Sequence, residues 1–175
     1  MACTLTTGRK LPCKSAFGGI KSAMFADFGT ITELVVDSTT KQVTTLTNTG
    51  DWFKYDVKGN SSLETAVTSS RENGTTFYTQ TLNLTLTYLD AKTQSELQEI
   101  AVARPYIIVE DYYGNYFLCG YENGCELTSG TTVTGAAAGD LSGFTITMEA
   151  MEETAPYFLD STVVPAASAV VIIPN

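Results

Sequence analysis

The stretch TFYTQTLNLTLTYL, residues 76–89, alternates apolar and polar side chains over most of its length. A period of two marks an extended strand that buries one face and wets the other. Leu82, Leu84, Leu86 and Tyr88 fall on the dry face, and Thr81, Asn83, Thr85 and Thr87 on the wet one. A one-residue slip would exchange the two sets, and burying each leucine is worth about 1.5–3 kcal/mol, so the orientation is strongly specified. The stretch also exceeds the usual strand of about five or six residues. A chain that contains it is organised around a sheet.

Its neighbours can be read in the same way. Residues 62–69 face it across RENG, a turn signal at Asn73-Gly74. Residues 144–152 place Phe144, Ile146, Met148 and Ala150 on one face, and Thr145, Thr147, Glu149 and Met151 on the other. Before that strand runs a loop containing Gly130, Gly135, Gly139 and Gly143. A phosphate-binding loop would need a helix after its glycines, and in one class a Gly-Lys-Ser/Thr ending. Here a strand follows and no lysine is near, so the loop joins two strands.

Further strands are expected at 20–26, 30–37, 42–46, 106–110, 116–120 and 125–129, the last two joined by a hairpin turn at Asn123-Gly124. One helix is expected over about residues 91–104. Asp90 serves as N-cap, Glu96 and Glu99 lie in the body, and Arg104 sits at the C-terminal end where the dipole favours a cation. Thr93, Leu97, Ile100 and Ala101 form its buried stripe, and Pro105 stops it. The abundance of Thr, Val, Ile, Tyr and Phe suits pleated surfaces. The expected fold class is mainly β: a β-sandwich or barrel of about ten strands with one flanking α-helix. Residues 1–19 read as a basic arm, 20–160 as one β domain and 161–175 as an apolar extension. That extension is β-prone and needs cover, from its own sheet or from a neighbouring subunit.

Charge and chemistry narrow the function. Of the 10 basic residues, Arg9, Lys10, Lys14 and Lys21 fall within residues 1–22, where there is no acid; the other six face all 19 acids, and the net charge is −9. An acidic body disfavours nucleic-acid binding, which draws its affinity from cations that neutralise phosphates. There is no histidine, so the commonest general base and the commonest metal ligand are missing together. No cofactor and no metal is expected, and the chain is not expected to be an enzyme. The adjacent acids Glu110-Asp111 and Glu152-Glu153 point to opposite faces of a strand, which rules out a catalytic dyad from either pair. The N-terminus lacks an apolar signal region, so the four cysteines are expected as free thiols. Cys119 and Cys125 are placed on opposite sheet faces by the hairpin between them. The triplets at Asn60, Asn73 and Asn83 are read as chance in a Thr-rich chain. The apolar run 163–174 is interrupted by Pro165 and Ser168 and falls short of the roughly 20 residues of a bilayer span.

The succession GNSSLETAVTSSRENGTTFYTQTLNLTL, then the helix, then RPYIIVEDYYGNYFLCGYENGCELTSGTTVTGAAAGDLSGFTITMEAMEETAPYFLD resembles the tail tube (major tail) proteins of tailed bacteriophages. The likeness spans roughly residues 15–160. It is carried by Val109-Glu110-Asp111, the loop and strand TTVTGAAAGDLSGFTIT, and EETAPYF. The resemblance implies hexameric rings that stack into a hollow tube, the inner strands of neighbouring subunits lining one continuous bore. It also implies virion partners, namely a tail terminator, a baseplate or tip and in contractile tails a sheath, and DNA that passes through without specific binding. Such proteins are similar in fold to the tubes of type VI secretion and contractile injection systems. The expected location is the virion tail, after synthesis in the host cytoplasm.

Two sets of residues follow as candidates. Thr81, Asn83, Thr85, Thr145, Thr147 and Glu149 are expected to face the lumen. Trp52, Phe53 and Tyr55, large apolar groups in a polar neighbourhood, are expected to anchor ring stacking, with Trp52 alternatively filling its own core. A competing class is a β-sandwich decoration or surface-binding module, with Trp52, Phe53, Tyr112 and Tyr113 gripping glycan or protein.

Overall fold

A computed structural model describes residues 8, 9, 14, 17–57 and 59–166. Its strands in chain order are β1 (Ile20–Ala26), β2 (Ile31–Val36), β3 (Gln42–Asn48), β4 (Phe53–Asp56), β5 (Ser62–Ser70) and β6 (Thr75–Thr87). After helix α1 (Ala91–Ile100) come β7 (Tyr106–Asp111), β8 (Tyr116–Cys119), β9 (Glu126–Val133), β10 (Gly143–Glu152) and β11 (Tyr157–Leu159). They form two sheets, in the orders β2-β3-β11-β8-β7-β1-β4 and β5-β6-β10-β9. The protein is a mainly β sandwich with a single helix among the described residues.

The smaller sheet is wholly antiparallel. Its long strand β6 lies opposite β10 in register, with Leu82 facing Met148, Leu84 facing Ile146 and Leu86 facing Phe144. All six are buried. Together with Ala23, Phe25, Ile107 and Val109 of the larger sheet they fill the main core. The alternation in residues 76–89 therefore has the cause inferred for it. Tyr88 departs from that pattern. It lies beyond the strand with a left-handed φ of 70° and is exposed, its amide bonded to the Ser142 carbonyl.

The central strands of the larger sheet behave differently. Alternate residues of β1 and β7 enter two cores: Ala23, Phe25, Ile107 and Val109 the first, and Met24, Ala26, Tyr106 and Ile108 the second. Burial on both faces explains why IKSAMFA and YIIVED show no alternation of apolar with polar. Val43, Leu118, Leu159 and Trp52 complete the second core.

Several expectations need correction. The helix ends at Ile100, not at 104, and Ala101 is exposed. Arg104 lies over the ring of Phe28 at 5.1 Å, where a cation–π contact holds it outside the helix end. Asp90 does cap the helix, its Oδ2 accepting from the amides of Lys92 and Thr93 at 3.1 and 3.2 Å. Residues 120–125 are not a hairpin turn, since β8 and β9 belong to different sheets. The Cys125 amide instead donates to the Pro105 carbonyl at 3.0 Å, and the Glu152 carboxylate accepts from the amides of Glu122 and Asn123, both at 2.9 Å. These bonds carry the chain from one sheet to the other. Cys119 and Cys125 consequently share the main core instead of opposite faces. Both are free and buried, and burial pushes the Cys119 thiol up to about 12. Cys3, Cys13, most of the basic arm and residues 167–175 of the extension lie outside the described residues.

Candidate functional site

The outward face of the small sheet is built by the same register that builds the core. Thr81 pairs with Glu149, Asn83 with Thr147 and Thr85 with Thr145. The six residues singled out from the sequence thus form three directly facing pairs on one surface, all half-buried. The Thr147 hydroxyl donates to Asn83 Oδ1 at 2.8 Å, a cross-strand bond that stiffens the middle of the patch. Thr85 is held from the side, its hydroxyl donating to the Asn60 carbonyl and its amide to the Ser61 hydroxyl.

The flanking strands extend the surface. Glu64 and Ser62 of β5 lie beside Thr81 and Asn83, and Glu126, Ser129 and Thr131 of β9 lie beside Glu149, Thr147 and Thr145. Glu64, Glu126 and Glu149 stand on this face, and the four strands contain no lysine or arginine. Such a face offers no cation to a phosphate backbone.

Its borders are the feature that the sequence alone left hidden. Strands β5 and β9 are the two ends of the small sheet, and among the described residues neither has a partner on its outer side. They are nine and eight residues long, and neither contains proline or lysine. Edges of that length without such protection are templates for pairing with another chain. Ala66, Val67 and Thr68 are exposed, as are Thr131 and Thr132 on the opposite border. Beyond β9, the loop to β10 is closed by Asp140, whose Oδ2 accepts from the amides of Ala136 and Ala137. The loop is a hairpin connection, as its sequence indicated.

No family model, curated protein or solved structure matches the chain. Its chemistry must therefore be judged from the residues themselves.

The second candidate set divides. Trp52 is 1% exposed and lies in the second core. It is not available as a contact with another copy, because its ring is covered by the chain's own residues. The polar sequence around it reflects its neighbours along the connector, not its surroundings in space. Phe53 is 43% exposed. Tyr55 packs edge-on against Phe25 at 5.2 Å, and its hydroxyl donates to Glu96 Oε2 at 2.7 Å. Burial, with that bond to a carboxylate, raises the Tyr55 hydroxyl well above its ordinary pKa. Tyr112 and Tyr113 are exposed at the turn after β7, where the ring of Phe17 meets Tyr112 edge-on at 5.3 Å.

The paired acids serve the fold. Glu110 is buried, accepting from Lys21 Nζ at 2.6 Å and from the Ser22 hydroxyl at 2.7 Å. Burial works against its charge, yet these partners outweigh it and hold the carboxyl below the ordinary range. Its neighbour Asp111 instead closes the turn to Asn115 through bonds from the amides of Tyr113 and Asn115. Glu152 is raised by burial, which the two amides it accepts from only partly oppose. Among the described residues no group of three or more Cys, Asp or Glu side chains is placed to hold a metal ion, and no helix is long and apolar enough to cross a membrane.

Proposed function

We propose that the chain is the tube-forming subunit of a bacteriophage tail, whose copies close into rings and stack into a DNA-conducting tube in the virion. The observation that carries this is the small sheet. It has one face packed on the core, one polar face without cations, and two long borders without partners among the described residues. A closed ring of such sheets, β5 of one copy beside β9 of the next, satisfies both borders of the small sheet. It also makes a barrel whose wet face lines the bore, with Thr81, Asn83, Thr85, Thr145, Thr147 and Glu149 toward passing DNA. Six copies per ring is the number implied by the family resemblance. Terminator, baseplate or tip proteins and, in a contractile tail, a sheath would contact the tube's ends and outer wall.

A tube of a contractile injection or secretion system shares this logic and differs in its cargo. A capsid-decoration or surface-binding module is the competing class, and it would use the exposed Phe53, Tyr112 and Tyr113 as contacts. Light scattering with negative-stain microscopy of the purified protein separates these. Rings or tubes are expected; a monodisperse monomer across the concentration range overturns the proposal.

A further inference from the structure

Resting on that tube reading, we propose that the groove between α1 and the β1–β4 pair receives the basic N-terminal segment, Arg9 and Lys10 foremost, of a second copy of this chain. The groove has a volume of about 210 Å³, room for one long side chain at a time. Its walls are apolar and aromatic, built by Phe25, Phe53, Tyr55 and Ile100. Three carboxylates, Asp27, Glu96 and Glu99, stand among them, and among the described residues no lysine or arginine lines it. The bases adjacent to the wall along the chain are engaged elsewhere: Arg104 lies over Phe28, and Lys54 reaches Asp56 and Glu110.

Aromatic faces beside carboxylates recognise a guanidinium or ammonium on a long aliphatic stem. Arginine suits the site best, since its planar head stacks on a ring and donates two parallel bonds to one carboxylate. Glu96 is already oriented for this by the Tyr55 hydroxyl on its Oε2. The complementary charge is carried by the chain itself. Residues 1–22 hold Arg9, Lys10, Lys14 and Lys21 and no acid, whereas the rest of the chain is strongly acidic.

Placement favours a second copy over the chain's own segment. The N-terminal segment leaves β1 at the end where Ile20 pairs with Asp111 and Phe17 packs on Tyr112. The groove lies at the other end of β1, at Phe25 to Asp27. About seven residues of extended strand, roughly 23 Å, separate the two. To fill its own groove the segment would have to reverse and run back along the whole strand. A neighbouring copy can present its groove to the segment without that reversal.

The test uses the full-length chain prepared with ordinary and with heavy nitrogen, mixed before assembly and treated with a zero-length carbodiimide that joins lysine amines to carboxylates. Expected are peptides linking Lys10 or Lys14 to Glu96 or Glu99, with mixed-isotope pairs as abundant as same-isotope pairs. Same-isotope pairs alone, or no such link in assembled tubes, overturns the proposal. In parallel, Arg9→Glu and Glu99→Lys are each expected to lower tube yield about tenfold or more, and the two together to restore it. Glu99 is exposed, so neither change threatens the fold. Tubes that form equally well from both single variants overturn the groove assignment and leave the tube reading intact. A wild-type chain that stays monomeric in the same scattering trace overturns the tube reading, and this proposal with it.

Discussion

Replacing Trp52 distinguishes a core residue from a docking anchor more sharply than any other change. The side chain is 1% exposed and belongs to the second core with Met24, Val43, Ile108 and Leu118. Truncating a buried tryptophan to alanine removes its transfer energy and leaves a cavity, together about 3–5 kcal/mol. A chain of this size loses about 2–4 °C of Tm per kcal/mol, so Trp52→Ala should melt roughly 6–20 °C below the wild type. The Trp52 Nε1–H has no acceptor among the described residues. Trp52→Phe keeps most of the ring and removes that unpaired donor, and is expected to cost less than about 2 kcal/mol. Phe53→Ala, at a side chain 43% exposed, should cost about 1 kcal/mol. Urea titrations followed by circular dichroism measure all three, because Trp52 is the sole tryptophan and its fluorescence disappears in two of the variants. A Trp52→Ala chain that is within about 1 kcal/mol of the wild type yet fails to assemble would refute the burial and restore the anchor role.

Glu110→Gln tests the buried ion pair through pH. The Glu110 carboxyl is held below its ordinary range in the fold, so its stabilisation is present above the unfolded value of about 4.3 and is lost as pH falls through the depressed one. The variant should be less stable than the wild type at pH 7 and equal to it in strong acid; a gap independent of pH contradicts this. Glu152 has the opposite sign. Its raised carboxyl contributes stability below the ordinary value that is lost as pH rises through the raised one, so Glu152→Gln should gain on the wild type in that direction. On the polar face, Asn83→Lys with Thr147→Lys should leave the monomer folded, at the loss of one cross-strand bond of about 0.5–1.5 kcal/mol and a repulsion of up to about 1 kcal/mol between the two facing lysines. Tubes of that variant should retain duplex DNA at low salt and release it at high salt, unlike wild-type tubes; equal behaviour would remove the face from the bore. At Gly143, an added Cβ would collide with the Leu86 carbonyl across the β6–β10 pair. Gly143→Ala should therefore cost about 1–3 kcal/mol in denaturant titrations, and an unchanged midpoint would contradict that register.

Local pattern alone decides part of this fold, and that part is legible in the sequence. Strands β6 and β10 are each dry on one side, so their alternation assigns the two faces that matter for the site residue by residue. Strands β1 and β7 are legible as strands, but their burial on both sides conceals the second core, which gathers Trp52 from a polar connector. The turn at Asn123-Gly124 carries an ordinary hairpin signal. It is overridden by distant partners, the Pro105 carbonyl and the Glu152 carboxylate, which no local window contains. The strand β11 has three residues and exists only because β8 and β3 pair with it from either side. The helix is legible at its start, where Asp90 caps it, and not at its end, where Arg104 is drawn to Phe28. The unpartnered borders β5 and β9 are a property of sheet order, which strand pattern does not encode.

The central claim is that the small sheet closes with its copies into a ring whose inner wall is the threonine-rich face. An electron cryo-microscopy reconstruction of the assembled protein tests it most directly. The expected map shows β5 of each subunit hydrogen-bonded to β9 of the next, with Thr81, Asn83, Thr85, Thr145, Thr147 and Glu149 around an acidic bore. A map that places these residues on the outer wall, or a bore ringed by lysine and arginine, would contradict it.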